Sequence, residues 1–484
     1  MKMPPELSFG DGRLLIGGEW REAIGGATLA VEDPASGEPI IEVANGGAED
    51  ALAALDAASQ AQESWARTAP NERSEILHRA YKSIHARADE LALTITREMG
   101  KALQESRAEV AYAAEFFRWF AGEALRIDGN YKVSGDGASR MLVMRQPVGP
   151  CLLITPWNFP LAMGARKVSP AIAAGCTMVL KPAQQTPLST LALAEILEGC
   201  GLPPGVLNVV TGSSASEISA PLLADPRLRK LSFTGSTAVG RKLIAQAADQ
   251  VLNVSMELGG NAPFLIFEDA DLDSAIEGAM IAKMRNIGEA CTSANRFHVA
   301  EPVADRFATL LAGRMGAMNV GPGTQEGVEV GPLIDARQRD SVAGLVEDAL
   351  ERGARCVVGG HRGNGAGYFF EPTVLADVPG DARLLHEEIF GPVAPVSTFT
   401  SEEEAVDVAN DTAFGLVSYV YTSDLKRALR VCEALQTGMV GLNQGMVSNA
   451  GAPFGGVKQS GLGREGGREG IDEFLETKYV AVNL

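Results

Sequence analysis

The chain has 484 residues, 46% of them hydrophobic, which is too long for one ordinary core and apolar enough for two or three lobes. Its 42 basic residues stand against 61 acidic ones, and the net charge of −19 repels phosphate backbones and anionic membrane surfaces, arguing against nucleic acid or membrane as a partner. An anionic small-molecule substrate would need arginines to reverse that field at its pocket.

In chain order, Met1 to Gly10 carries two prolines and no long apolar run, and does not read as a secretory signal. Residues 126–146 alternate around the turn glycines Gly129, Gly135 and Gly137, predicting a hairpin that projects and meets another subunit. Short β-rich runs at 148–155, 207–211 and 231–233 are each followed by a longer amphipathic stretch, the rhythm of a parallel α/β sheet. The apolar run 169–180 is shorter than the ~20 residues a spanning helix needs and is flanked by Lys167 and Lys181. After residue 257 the rhythm resumes: a helix over 335–353 places Val342, Leu345, Val346, Ala349 and Leu350 on one face, and a strand follows at 356–358. Residues 478–484 alternate and could add to a neighbour's sheet. No repeat or low-complexity linker separates the lobes, so they should pack together around a cleft. The cysteines at 151, 176, 200, 291, 356 and 432 form no Cys-x-x-Cys pair, which suggests a reducing cytoplasm with most of them buried as small hydrophobes.

Three segments carry chemistry. Gly288 breaks a helical run and puts Cys291 on a turn of small residues, where it could be a nucleophile or one more buried thiol. Glu257 follows an apolar run and precedes Gly259 and Gly260; in an apolar setting it could act as a general base, and otherwise it is a surface acid. Asn158, between a strand and the helix begun by Pro160, could donate to an oxyanion or cap that helix.

Pro156-Trp157-Asn158-Phe159-Pro160, Glu257-Leu258-Gly259-Gly260, the Cys291 turn and Glu388-Ile389-Phe390-Gly391-Pro392 resemble, in order and spacing, the motifs of the aldehyde dehydrogenase superfamily. Phe233-Thr234-Gly235-Ser236 and Pro453-Phe454-Gly455-Gly456 join them, so the resemblance spans nearly the whole chain. It implies a Rossmann-type cofactor domain (1–125 and 147–256), an α/β catalytic domain (257–469) and a small β oligomerisation arm (126–146 and 470–484) in a homodimer or homotetramer. It also implies attack of Cys291 on an aldehyde, an oxyanion held by Asn158 and the Cys291 N–H, and a thioester hydrolysed by water that Glu257 activates, with Lys167 in support. No metal is implied.

For NAD or NADP, the turn Gly235-Ser236-Thr237-Ala238-Val239-Gly240 lies between a strand and a helix as a pyrophosphate site requires, although its spacing is not Gly-x-Gly-x-x-Gly. The resemblance adds Thr155, Pro156, Trp157 and Lys181 for the cofactor, and Glu388 and Phe390 for the nicotinamide ribose. Gln184 stands where NAD-specific relatives often have a glutamate, which removes repulsion of a 2′-phosphate and predicts that NADP is accepted.

Arg166, Arg285 and Ser448 resemble the residues that grip the substrate carboxylate in succinate-semialdehyde dehydrogenases; each arginine could equally be an ordinary ion-pair partner. Two positions depart from the pattern. Glu289 replaces a usual glutamine and could raise the Cys291 pKa, compete as a base or point away. Ser293 replaces the second cysteine that some of these enzymes use for a regulatory disulfide. The alternatives are a dehydrogenase for glutarate semialdehyde or a hydroxyaldehyde and, from another class, a cofactor-independent thiol esterase.

Overall fold

The computed structural model describes residues 10–483; residues 1–9, read above for a leader, and Leu484 lie outside them. An eight-stranded sheet runs Gly461–Leu462, Asn253–Glu257, Lys230–Thr234, Cys151–Ile154, Met178–Lys181, Leu207–Val209, Leu14–Ile16, Glu19–Arg21. Its middle five strands are parallel. Helices cover both faces of such a sheet, so Cys151–Ile154 and Lys230–Thr234 are buried at every residue, and the first reads as an unbroken apolar run. The chain builds outward from Cys151–Ile154 to Leu207–Val209, then restarts on the other side at Lys230–Thr234. That reversal opens a crevice between the two strands at their carboxyl ends, from which Thr155–Asn158 and Gly235–Ser236 depart.

The second sheet runs Arg355–Val358, Thr373–Ala376, Val393–Phe399, Ala294–Ala300, Ala262–Ile266, Val417–Tyr421, Met439–Leu442, with only Arg355–Val358 antiparallel. Four residues, 258–261, join the sheets. Backbones are so close there that a Cβ on Gly259 would meet the Glu388 carboxylate and one on Gly260 would strike the Cys291 carbonyl oxygen. The helix expected at 335–353 is Ala336–Glu351, capped by Asp335, whose carboxylate accepts from Gln338 N at 2.8 Å. It buries Val342, Leu345, Val346 and Ala349, whereas Leu350, assigned above to the same face, is 38% exposed at the helix end.

The hairpin at 126–146 is present as Asn130–Val133 and Ser139–Pro147. The carboxy-terminal strand Leu475–Asn483 pairs with its own chain, antiparallel to Ser139–Pro147 from Leu475↔Pro147 to Asn483↔Ser139, and forms an edge of the three-stranded sheet. Gly461–Leu462 likewise falls in the range assigned to the second lobe but pairs with Met256–Glu257 of the first sheet. Gly461 has φ +141°, and a Cβ there would run into the Met256 carbonyl, so a glycine is what lets this segment return. Only Cys151, Cys176 and Cys200 are buried; Cys291 and Cys432 are partly exposed and Cys356 is exposed. Among the described residues no helix is long and apolar enough to cross a membrane.

Candidate active site

A cavity of about 430 Å3 lies between the sheets, lined by Asn158, Glu257 and Cys291, with Arg166, Arg285 and Ser448. Asn158 follows the first strand of the parallel sheet and precedes Pro160–Ala174, a helix with proline at its first position. Its side chain does not cap that helix. Glu109 does so, accepting from Leu161 N (3.0 Å) and Ala162 N (3.1 Å), and the Asn158 amide donates to the Glu289 carbonyl at 2.9 Å, beside the Cys291 turn.

The chain enters that turn through three left-handed residues, Asn286 (φ 56°), Ile287 (φ 62°) and Gly288 (φ 77°). A β-branched residue there costs about 1–2 kcal/mol, so the turn must be held by its surroundings. Packing around Cys291 pushes its thiol up to about 12; Arg166 and Arg285 oppose the shift, and Glu257 and Glu388 add to it. Glu257 ends its strand 3% exposed, with neither carboxylate oxygen hydrogen-bonded. Burial first, and then the charge of Glu465, raise its pKa well above the ordinary carboxylate range.

Lys167 is buried, donating to Glu465 (2.6 Å) and Ser232 (2.8 Å). Against the effect of burial, Lys167 and Arg166 hold the Glu465 pKa low. Arg166 is 2% exposed, with its guanidinium 3.6 Å from the Phe454 ring centre. Its Nε lies 2.7 Å from Glu465 but out of line for a hydrogen bond, and Nη2 has no partner. Arg285 donates to Ser448 Oγ at 3.1 Å and sits over Phe159 and Tyr112, at 4.9 and 5.7 Å from their ring centres.

At the other end, Trp157 and Phe390 meet edge to face at 5.3 Å, and Phe390 adopts φ +52°. Glu388 accepts from Gly260 N at 3.0 Å, and burial raises its pKa to about 7. The residues fit a dinucleotide. The Thr155 and Thr234 hydroxyls are buried without partners at the carboxyl edge of the sheet, and Lys181 is 4% exposed with only the neighbouring Pro182 carbonyl to donate to. Ser236 caps the helix Thr237–Ala247, whose amino terminus opens on the cavity beside Gly235.

The aldehyde dehydrogenase family model matches residues 20–480. The chain belongs to the aldehyde dehydrogenase family. It is an NAD(P)-dependent oxidoreductase, with the α/β fold of its relatives. It is 59% identical over 440 residues to a succinate-semialdehyde dehydrogenase of Paenarthrobacter nicotinovorans, covering 91% of this chain and 98% of that one. A glutarate-semialdehyde dehydrogenase of Pseudomonas putida is 49% identical over 469 residues, 97% of either chain. A crystal structure described as an E. coli NADP-dependent enzyme superposes with a TM-score of 0.98 at 48% identity, over 99% of this chain and 100% of that one.

Within this aldehyde dehydrogenase the sequence motifs converge unevenly. Pro156, Trp157, Gly235, Ser236, Glu388 and Phe390 line the cavity, while Thr155, Lys167 and Lys181 are not part of its lining. Gly240 lies within the first turn of the helix Thr237–Ala247, where a Cβ would strike Leu258, so its smallness lets the helix pack closely. Gln184 is exposed, and its neighbour Gln185 lines the cavity instead. Glu289 points away from the thiol: it accepts from Ile334 N at 3.2 Å, and burial, outweighing that bond, raises its pKa well above the carboxylate range. Sequence reasoning quoted Phe454 only as part of a motif and missed Tyr112 and Glu465; an acid 208 residues from Glu257 carries no local signal.

Proposed function

We propose that this aldehyde dehydrogenase oxidises succinate semialdehyde, or a similarly short ω-carboxy aldehyde, to the dicarboxylate. The observation that carries this reading is a single cavity lined by Cys291, Glu257 and the Asn158 amide together with Arg285 and Ser448. Cys291, as thiolate, forms the bond to the aldehyde carbon, and the oxyanion is held by the second N–H of the Asn158 amide and by the Cys291 N–H. Oxidation of that adduct to a thioester needs a hydride acceptor, the chemistry that bound NAD(P) supplies. Glu257 then takes a proton from the water that opens the thioester. Arg285 and Ser448, with the unpaired Nη2 of Arg166, hold the far carboxylate through charge-assisted bonds.

A second reading has support, because the P. putida relative is named for the homologous substrate one methylene longer. One methylene is worth about 1–3 kcal/mol in a fitted pocket, so cavity length decides between the two. On the cofactor side, the neutral Gln184 supports acceptance of NADP. The exposed Tyr131 (65%) and Tyr479 (57%) on the three-stranded arm support assembly into a homodimer or homotetramer. Steady-state kinetics with succinate semialdehyde, glutarate semialdehyde and butanal, each with NAD and NADP, test the reading. Succinate semialdehyde is expected to have the highest kcat/KM, at least ~10-fold above butanal. Equal turnover of butanal would leave only the family assignment, and a strong preference for NAD would refute the inference from Gln184.

A further inference from the structure

The helix Leu103–Glu123 and the residues just before it reach both strands of chain that form the oxyanion site. Lys101, 0% exposed, donates to Glu109 at 2.6 Å and to the Asn158 carbonyl at 2.7 Å. Glu109 uses its other oxygen to hold Leu161 N and Ala162 N, so this ion pair fixes the backbone on both sides of Asn158. One turn earlier on the same face, Glu105 accepts from Asn286 N at 2.6 Å, at the first of the three left-handed residues that lead to Cys291. The Asn286 side chain closes the circuit, donating to the Asn158 carbonyl (3.0 Å) and the Glu289 carbonyl (2.8 Å).

Counting donors and acceptors shows what the circuit leaves over. The Asn158 carbonyl accepts from Lys101 and Asn286, and the Glu289 carbonyl accepts from Asn158 and Asn286, so both have their two lone pairs engaged. Both amide hydrogens of Asn286 are also spent. The amide donor left uncommitted is the second N–H of Asn158, on the cavity wall, while the acceptors Asn286 Oδ1 and Glu105 Oε2 are buried without partners. We infer that Glu105, acting through Asn286, is a positioning residue that sets the separation between the Asn158 amide and the Cys291 peptide, and so the geometry of the oxyanion site. The inference rests on the catalytic roles proposed for Asn158 and Cys291. Its physical basis is that an ångström of misplacement at such a site costs up to ~100-fold in rate.

The test compares Glu105→Ala, Glu105→Gln, Asn286→Gly and Asn158→Ala, following kcat and KM for the best aldehyde, the thermal midpoint, and the rate at which iodoacetamide alkylates Cys291, read from its peptide by mass spectrometry. Alkylation uses the same sulfur but builds no oxyanion. Glu105→Ala is expected to lower kcat by about 30-fold with KM within about two-fold and the alkylation rate unchanged. Glu105→Gln, which keeps an acceptor for Asn286 N–H, restores kcat to within about three-fold. Asn286→Gly removes the bridging amide while easing the left-handed backbone, so it stays folded and loses kcat as Glu105→Ala does. Should Glu105→Ala fail to fold, Asn286→Gly alone decides. Unchanged kcat in Glu105→Ala or Asn286→Gly, or alkylation falling in step with kcat, overturns the inference. If Asn158→Ala itself keeps full kcat, it is the oxyanion role of Asn158 that has failed.

Discussion

Two sets of groups lining the cavity treat charge in opposite ways. Among the reacting residues the titratable groups are driven toward neutrality: burial pushes the Cys291 thiol up to about 12 and raises Glu257, whose oxygens have no partner. The guanidinium groups of Arg285 and Arg166 instead lie against aromatic faces, which stabilise a cation without neutralising it. A buried acid driven toward its neutral form can exchange a proton with water or substrate, whereas a cation on an aromatic wall can only attract. The first set suits chemistry and the second suits selection, so substitutions in the two should separate kcat from substrate preference.

The largest effect is expected from Glu257→Gln, which keeps the shape and removes the base. Steady-state kcat should fall by about 10²- to 10⁴-fold, while a rapid first turnover still releases about one equivalent of reduced cofactor, because thioester formation precedes the step that needs the base. In the wild type, kcat should go on rising with pH above the usual carboxylate range, since Glu257 must lose a proton that the folded protein holds beyond it. Stopped-flow traces decide this: loss of the burst together with the steady-state rate would move Glu257 to the activation of Cys291.

Arg285→Ala should act on the other axis. For succinate semialdehyde, kcat/KM is expected to drop by about 10- to 100-fold, the range for losing a charge-assisted contact of about 1.5–3 kcal/mol, with butanal turnover unchanged. Its guanidinium is spent only on Ser448 and a weak contact with the Met446 sulfur, whereas Arg166 is already engaged by Glu465. A uniform fall for both aldehydes would make Arg285 structural and dissolve the contrast between the two sets of residues.

The same contrast explains what could be read from sequence. The α/β rhythm, the arm and the segments holding Asn158, Glu257 and Cys291 were legible because each depends on local signals: apolar periodicity, turn glycines, a proline at a helix start. Glu105, Glu109 and Lys101 were not, since charges four residues apart on a helix read as a solvated face until the helix is docked. Glu465 and Phe454, bridged to each other, flank Gly461–Leu462, whose return to the first sheet is a long-range pairing without a local signal. The contact of Gly240 with Leu258 was not legible either, since nothing in the Gly235–Gly240 segment points to a leucine beyond the next strand.

Glu289 sets the lower bound of the series, adjacent to Cys291 in sequence yet turned toward Ile334. Its side chain is 0% exposed and one of its oxygens has no partner, the environment of a carboxyl that keeps its proton. Glu289→Gln retains the acceptor for Ile334 N, so kcat should stay within about two-fold. Stability should respond more than activity, and with a definite sign. Above the ordinary carboxylate range the unfolded chain has released this proton while the folded chain retains it, so the wild type loses stability as pH rises, by up to about 1.4 kcal/mol per unit within that window. Glutamine carries no such proton. The thermal midpoint of Glu289→Gln relative to wild type should therefore improve between pH 5 and pH 8. A constant difference across that range would mean that Glu289 is ionised in the fold, and its charge would then have to be counted among those facing Cys291.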